Sequence, residues 1–223
     1  MIAAKSMVGS GMYTVREAAF YSRVPTQMVS RWIFGSEKGR SVIEPQIANQ
    51  ERMVSFVDFV QTVAIRELRF QKEVPLPRFR EAIRNAKKLF GIDYPFARRH
   101  CTFFDGVNII IKKADEFYEV TGKHVGQKLF RFVEEYLAKL EFDANGLANS
   151  YRIFEAKDVP IFMRPKYRFG EPTLPSGYTA MTVWNAIKAE GGIKEAAKAY
   201  GIPKEEVEAA YAFFVDFLGK ATA

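Results

Sequence analysis

Thr26, Gln27, Ser30 and Arg31 sit close together on what the spacing predicts is a short helix. Side chains of these types hydrogen-bond well to base edges, and an arginine reaches two acceptors on a guanine edge at once. Glu17-Ala18-Ala19, Val24-Pro25 and Val29 form the skeleton around them. The same skeleton recurs as Glu195-Ala196-Ala197, Ile202-Pro203 and Val207, with every matched pair 178 positions apart. In the second copy the corresponding helix presents Glu205, Glu206 and Glu208. A neutral or basic helix can enter a DNA groove, whereas three carboxylates are repelled by phosphate. The first copy therefore reads as a DNA reader and the second as a face that meets protein. The plainer reading of the three glutamates is a solvated helix start, where acids also suit the helix dipole.

Other chemistry finds little support. His100 and Cys101 are neighbours, so a strand would point their side chains apart. His124 falls in a turn, and no His/Cys set has metal-ligand spacing. Neither a phosphate-binding Gly-rich loop nor a dinucleotide fingerprint is present. Asp143-Ala144-Asn145-Gly146 opens like a calcium loop but lacks the ligands that would complete one. Scattered carboxylates such as Asp105, Asp115 and Glu116 could in principle form a metal-dependent nuclease site, and nothing in their spacing asks for it. No catalytic residue, metal or cofactor is expected, and the chain is not read as an enzyme.

The elements that must hold these residues follow from composition and periodicity. The chain has 223 residues, 48% of them hydrophobic, enough to bury a real core. No apolar run is long enough to span a membrane, and residues 1–12 do not resemble a signal peptide. A single cysteine rules out an internal disulfide, so a cytoplasmic protein is expected. The net charge is +7 and is placed unevenly. Residues 1–100 hold 17 Lys and Arg against 9 Asp and Glu, while residues 101–223 hold 16 against 17. The positive field thus belongs to the half that carries Arg31, as nucleic-acid binding would require.

Thr14 with Glu17 three residues on is a capping box that starts a helix running to about Arg23. Pro25 opens the next, about Thr26–Phe34, and Gly35 ends it. Ser36–Ser41 reads as a basic loop leading into a short strand at Val42-Ile43, either a wing or a plain surface loop. Ser55 caps a long helix to about Lys72, with Asp58, Thr62, Arg66 and Arg69 on its polar stripe. A helix to Phe90 follows, with Arg80, Arg84, Lys87 and Lys88 on a side read as solvated rather than phosphate-bound. Asp105-Gly106 and Asn145-Gly146 mark two hairpins, with a helix over about Gly126–Ala138 between them. Asp158–Ser176 reads as extended and Pro-rich, too full of proline for a central strand. Three short helices close the chain, at about Thr179–Ala189, Ile193–Tyr200 and Lys204–Leu218. Phe213 lies off the apolar stripe of the last one, and with Trp184 and Tyr211 it marks either core or a partner-covered face.

Residues 13–90 resemble a MerR-like winged helix-turn-helix. The resemblance rests on Tyr13 to Ala19, Val24-Pro25, Arg31-Trp32 and Ser55 to Val60. Residues 159–217 resemble a small helical family of unknown function through Met163-Arg164-Pro165, Phe169 to Gly177, and the helices after Gly191-Gly192. The pairing is similar to VapB-like antitoxins of type II toxin–antitoxin operons. Where that helical family commonly continues with Thr-Arg, this chain has Tyr178-Thr179-Ala180, and no effector pocket of MerR activators is legible.

The resemblance implies an antitoxin that represses its own operon as a homodimer and neutralises a PIN-like ribonuclease toxin. It places Arg16, Arg23, Thr26, Gln27, Ser30, Arg31, Lys38 and Arg40 on operator DNA. The charge contrast and apolar surplus of the last helices put Trp184, Glu205, Glu206, Glu208, Tyr211 and Phe213 on the partner. The expected fold is mainly α with small β-hairpins, an α+β chain. A flexible arm (1–12) precedes the winged domain (13–95), an α+β middle region (96–157) and a helical interaction domain (158–223). The other readings are a stand-alone regulator with a C-terminal dimerisation module, and a metal-dependent nuclease.

Overall fold

The computed structural model describes residues 11–37, 39–47, 52–71, 73–99, 102–104, 109–113, 116–121 and 138–221. It divides the chain into two compact units, Tyr13–Asn149 and Ser150–Ala223. The fold is α+β, with seven α-helices and small antiparallel sheets among the described residues.

Strand β1 (Met12–Tyr13) leads into helix α1 (Val15–Ser22) of the first unit. The Thr14 hydroxyl accepts from the Glu17 amide and the Glu17 carboxylate accepts from the Thr14 amide, so the expected capping box is formed. Helix α2 (Thr26–Phe34) begins after Pro25 and stops at Gly35. Between α1 and α2, Arg23 takes a left-handed conformation and the Val24 amide donates back to the Ala19 carbonyl at 3.1 Å. Strand β2 (Val54–Ser55) pairs with β1 and leads into helix α3 (Phe56–Gln71).

Helix α3 departs from its expected amphipathic form. Every residue from Phe56 to Ile65 is buried, including Asp58, Gln61 and Thr62. The helix packs against α1, α2 and the short turn at Pro95–Ala97, so it has no solvated side along its first ten residues. Asp58 and Thr62 are satisfied internally, whereas the buried Gln61 Nε2 and Arg69 Nε have no hydrogen-bond partner among the described residues. Asp58 takes the N3 place of a second capping box with Ser55, and the Thr62 hydroxyl donates to the Asp58 carbonyl at 2.9 Å. Arg66 reaches the Ser22 carbonyl at 3.0 Å and closes the end of α1.

Helix α4 (Leu76–Phe90) buries Phe79, Ala82 and Ala86 and ends at Gly91. Phe79 stacks on Phe96, and Phe90 lies 5.0 Å from Tyr118. Tyr118 belongs to a three-stranded sheet of β3 (Thr102–Phe104), β4 (Ile109–Lys113) and β5 (Glu116–Glu119). The β3–β4 pairing is the first expected hairpin; β5 adds a strand not foreseen. The expected helix at Gly126–Ala138 lies outside the described residues except for its last position. The second expected hairpin joins β6 (Leu140–Phe142) to β7 (Ala148–Ala156). Asp143 organises its turn by accepting from the Asn145 and Leu147 amides, each at 2.9 Å.

The sheet order is β6-β7-β8-β9. Residues 158–176 are more than an extended segment, because they supply β8 (Val159–Met163) and β9 (Pro172–Thr173). A central strand with Pro160 contradicts the proline argument, and the register shows why it is tolerated. Pro160 lies opposite Glu155 of β7, whereas β9 pairs only with Phe162 and Met163. Among the described residues no strand on the β9 side reaches the level of Pro160, so none of them misses its absent N–H. Lys157 and Asp158, both at positive φ, make the two-residue turn before β8.

Helices α5 (Ala180–Ala189), α6 (Ile193–Tyr200) and α7 (Lys204–Ala221) pack together over β8 and β9. The turn between α6 and α7 repeats the geometry between α1 and α2. Gly201 is left-handed, and the Ile202 amide donates to the Ala197 carbonyl at 3.1 Å. Val29 and Val207 are both fully buried at equivalent places. The 178-residue echo in sequence is therefore an echo in backbone hydrogen bonding.

Candidate nucleic-acid interface

Helix α2 turns Val29, Trp32 and Ile33 inward. The residues between them must then face out. Thr26, Gln27 and Arg31 are exposed, and Ser30 is half-buried beside them. Gln27 and Arg31 are four residues apart on one row, and Thr26 and Ser30 on the next, so the four form a compact polar face.

Arg52, which the sequence did not single out, and Arg80, read there only as part of a solvated side, complete the surroundings. Arg52 donates to the Ser30 hydroxyl at 2.8 Å while its guanidinium lies 4.8 Å over the Phe34 ring. Ser30 is thus already engaged, and Arg52 brings a cation to the same face. Arg80, from α4, donates to the Ser41 carbonyl at 2.9 Å and the Arg40 carbonyl at 2.8 Å. Neither has a local signature, because their partners are 22 to 40 residues away in the chain.

The loop after α2 is tightly built. Ser36 and Gly39 exchange both backbone hydrogen bonds, at 2.9 and 3.1 Å. The expected strand at Val42-Ile43 does not form. Both amides converge on the Trp32 carbonyl, at 2.7 and 2.9 Å, and both side chains are buried. Two amides spent on one helix-end carbonyl leave no ladder for a strand. Past this point the Asp58 carboxylate accepts from the Gln46 amide at 3.1 and 3.2 Å. Burial raises the Asp58 pKa from 3.8 to about 6, against the opposing effect of hydrogen bonds from Ser55 and Gln46.

Of the other candidate DNA contacts, Arg16 is exposed on α1 and Arg23 is half-buried at its end. Arg40 is exposed on the loop, and Lys38 lies outside the described residues. His100, Cys101, His124, Asp105 and Asp115 also lie outside them. Among the described residues no cluster of three or more His, Cys, Asp and Glu is placed to hold a metal. No helix there is long and apolar enough to cross a membrane.

The C-terminal candidates are brought only partly together. Glu205 is exposed. Glu206 is buried, and its carboxylate accepts from the Ser176 amide at 3.0 Å, pinning the loop before α5. Glu208 is gripped by Lys157 at 2.6 Å and Lys204 at 2.9 Å, whose hydrogen bonds hold its carboxyl down at about 2. These two acids serve the fold rather than a free acidic face. Phe213 takes the core rather than the partner-facing alternative, being completely buried among Phe154, Phe214 and Phe217. The helical wheel put it off the stripe because it considered α7 alone; β7 covers that side through Phe154. Trp184 and Tyr211 do come together, 5.6 Å apart, and Tyr211 is 44% exposed. Met181, Val215 and Leu218 are exposed too.

No protein-family model matches the chain. It is 24% identical over 219 residues to a curated Mycobacterium tuberculosis protein described as "Putative antitoxin VapB45", a match covering 88% of this chain and 90% of that protein. Among solved structures it resembles the crystal structure of Rv2018 from the same organism. The TM-score is 0.65 at 20% identity, over 89% of this chain and 96% of that one. At that identity the likeness shows a shared fold.

Proposed function

We propose that this chain is a DNA-binding antitoxin that represses its own operon as a homodimer in the cytoplasm and neutralises a PIN-like ribonuclease toxin. One observation carries the DNA part. The second helix of a helix-turn-helix offers Thr26, Gln27 and Arg31 outward from a buried Val29–Trp32–Ile33 face. That is how a recognition helix presents base-reading side chains to a major groove. The similarity along most of the chain to a protein described as an antitoxin supports the rest of the reading.

In this reading Arg31 takes a guanine edge while Gln27 and Thr26 read its neighbours. Arg16 and Arg23 anchor phosphates, and Lys38 and Arg40 approach the backbone from the loop. Two-fold pairing of protomers sets two such helices on successive turns of the duplex. The toxin is met by the second unit. With Glu206 and Glu208 engaged internally, the surface left for it is Glu205 with the side where the half-buried Trp184 meets the exposed Tyr211. The stand-alone regulator draws on the same apolar side, which would then cover a second copy.

The test is a gel-shift titration on the duplex upstream of the gene. Arg31→Ala should weaken binding by about 1–3 kcal/mol and relax preference at one base position. Unchanged affinity and specificity would remove α2 as the reader. Co-expression with the neighbouring reading frame tests the partner; a chain that shows no affinity for that product overturns the toxin assignment.

A further inference from the structure

The loop that follows α2 has two sides. On one, Arg31, Ser36, Glu37 and Gly39 line an open groove. On the other, residues 40–44 lie against α4 and form a second open groove whose lining includes Ser41, Val42 and Ile83 and the charged residues Arg40, Glu44, Arg80, Arg84, Lys87 and Lys88. Among its charged residues only Glu44 is an acid. Arg80 is spent clamping the loop, and Lys87 is paired with Glu44 at 3.4 Å and Asp93 at 3.2 Å. Arg40, Arg84 and Lys88 remain, all exposed. No acid among the described residues is ion-paired with any of the three.

A solvated helix face usually mixes its signs, because like charges four residues apart destabilise a helix. Arg80, Arg84 and Lys88 follow one another at that spacing with no acid between them on the row. The nearest acid on the helix, Glu81, is turned to Arg78 at 3.2 Å. From Arg80 to Lys88 the row runs roughly 12 Å along the helix axis. One strand of duplex presents about three or four phosphates over that length. The row also stands across a single loop from the groove that holds Arg31.

We propose that Arg84 and Lys88, with Arg40, form a phosphate-binding strip that grips the DNA backbone flanking the bases read by α2. This rests on the DNA-reading role proposed above and extends the footprint beyond the helix-turn-helix. The strip carries affinity, and α2 carries sequence preference.

The experiment compares four proteins by fluorescence anisotropy on the upstream duplex and on a scrambled duplex, across a salt series. They are the wild type, Arg84→Gln/Lys88→Gln, the charge-preserving Arg84→Lys/Lys88→Arg, and Lys166→Gln/Arg168→Gln as a matched loss of charge elsewhere. The first double variant should bind both duplexes more weakly by the same factor. Its slope of log affinity against log salt should be shallower by about 1.8, at about 0.9 per phosphate released. Doubling the salt should then cost the wild type about 3.5-fold more affinity than this variant. The charge-preserving variant should restore the slope, and the Lys166→Gln/Arg168→Gln variant should keep it. A full wild-type slope in Arg84→Gln/Lys88→Gln, or an equal loss in Lys166→Gln/Arg168→Gln, overturns the strip while leaving α2 as reader. A wild type that binds neither duplex overturns both.

Discussion

Asp58→Asn should change how stability responds to pH more than it changes stability at any one pH. The carboxylate is 1% exposed and stands at about 6 rather than 3.8 because burial disfavours its charge. Each pKa unit is worth about 1.36 kcal/mol, so ionising this group in the folded protein costs about 3 kcal/mol. The sign follows from proton counting. Between pH about 4 and about 6 the folded chain holds a proton that the unfolded chain has released. Stability therefore falls as pH rises through that window and levels off above it. Asparagine has no proton to lose, so the variant lacks the fall. It carries instead a constant penalty, because its amide group faces the Ser55 and Gln46 donors that the carboxylate accepts from. Glu208, held at about 2 by Lys157 and Lys204, behaves oppositely and loses its stabilising effect as pH drops below 4.5. It is common to both proteins and cancels in the difference. Urea unfolding at pH 4 to 7, followed by Trp32 fluorescence in a Trp184→Phe background, isolates the unit that holds Asp58. The wild-type advantage over Asp58→Asn should shrink by about 2.4 kcal/mol between pH 4 and pH 7, the rest of the fall lying below pH 4. Curves that stay parallel within about 0.5 kcal/mol would refute burial as the source of the shift.

Two further predictions concern packing and the loop. Phe213→Ala should cost about 3–5 kcal/mol of unfolding free energy in denaturant melts, since it empties a site enclosed by three other phenylalanines. A cost below 1 kcal/mol would mean Phe213 faces out. Gly35→Ala should lower the melting temperature and weaken DNA binding together. Gly35 sits at φ 74°, and an added Cβ would meet the Gly39 carbonyl oxygen at 3.0 Å and the Ser41 nitrogen at 3.1 Å, so loop and helix end must both shift.

Features settled within a few residues were legible in the sequence. The Thr14–Glu17 box, the stop at Gly35, the Asp143–Gly146 turn and the helix ends at Gly91 and Gly201 stand where local rules put them. Features set by distant partners were not. Asp58 and Thr62 look polar and solvated on a wheel, yet α3 is surrounded. The Lys157-Asp158 turn escaped notice because it uses two left-handed residues without glycine. Phe213 and Glu206 looked available until β7 and the Ser176 loop were laid against them. In the candidate site, the face of α2 followed from period alone. Arg52 and Arg80 reach it from outside the motif, and only the fold brings them there.

The long reach of Arg66 and Arg80 bears on the order in which the first unit is completed during synthesis. Arg66 closes α1 by bonding the Ser22 carbonyl from 44 positions downstream, and Arg80 fastens the loop after α2 from 39 and 40 positions downstream. A nascent chain that has exposed only residues 13–47 holds both helices of the motif but none of these fastenings. A truncation ending before Ser55 lacks α3 as well, and with it a helix that packs against both α1 and α2. The smallest fragment able to hold α2 in its final place therefore runs through α4.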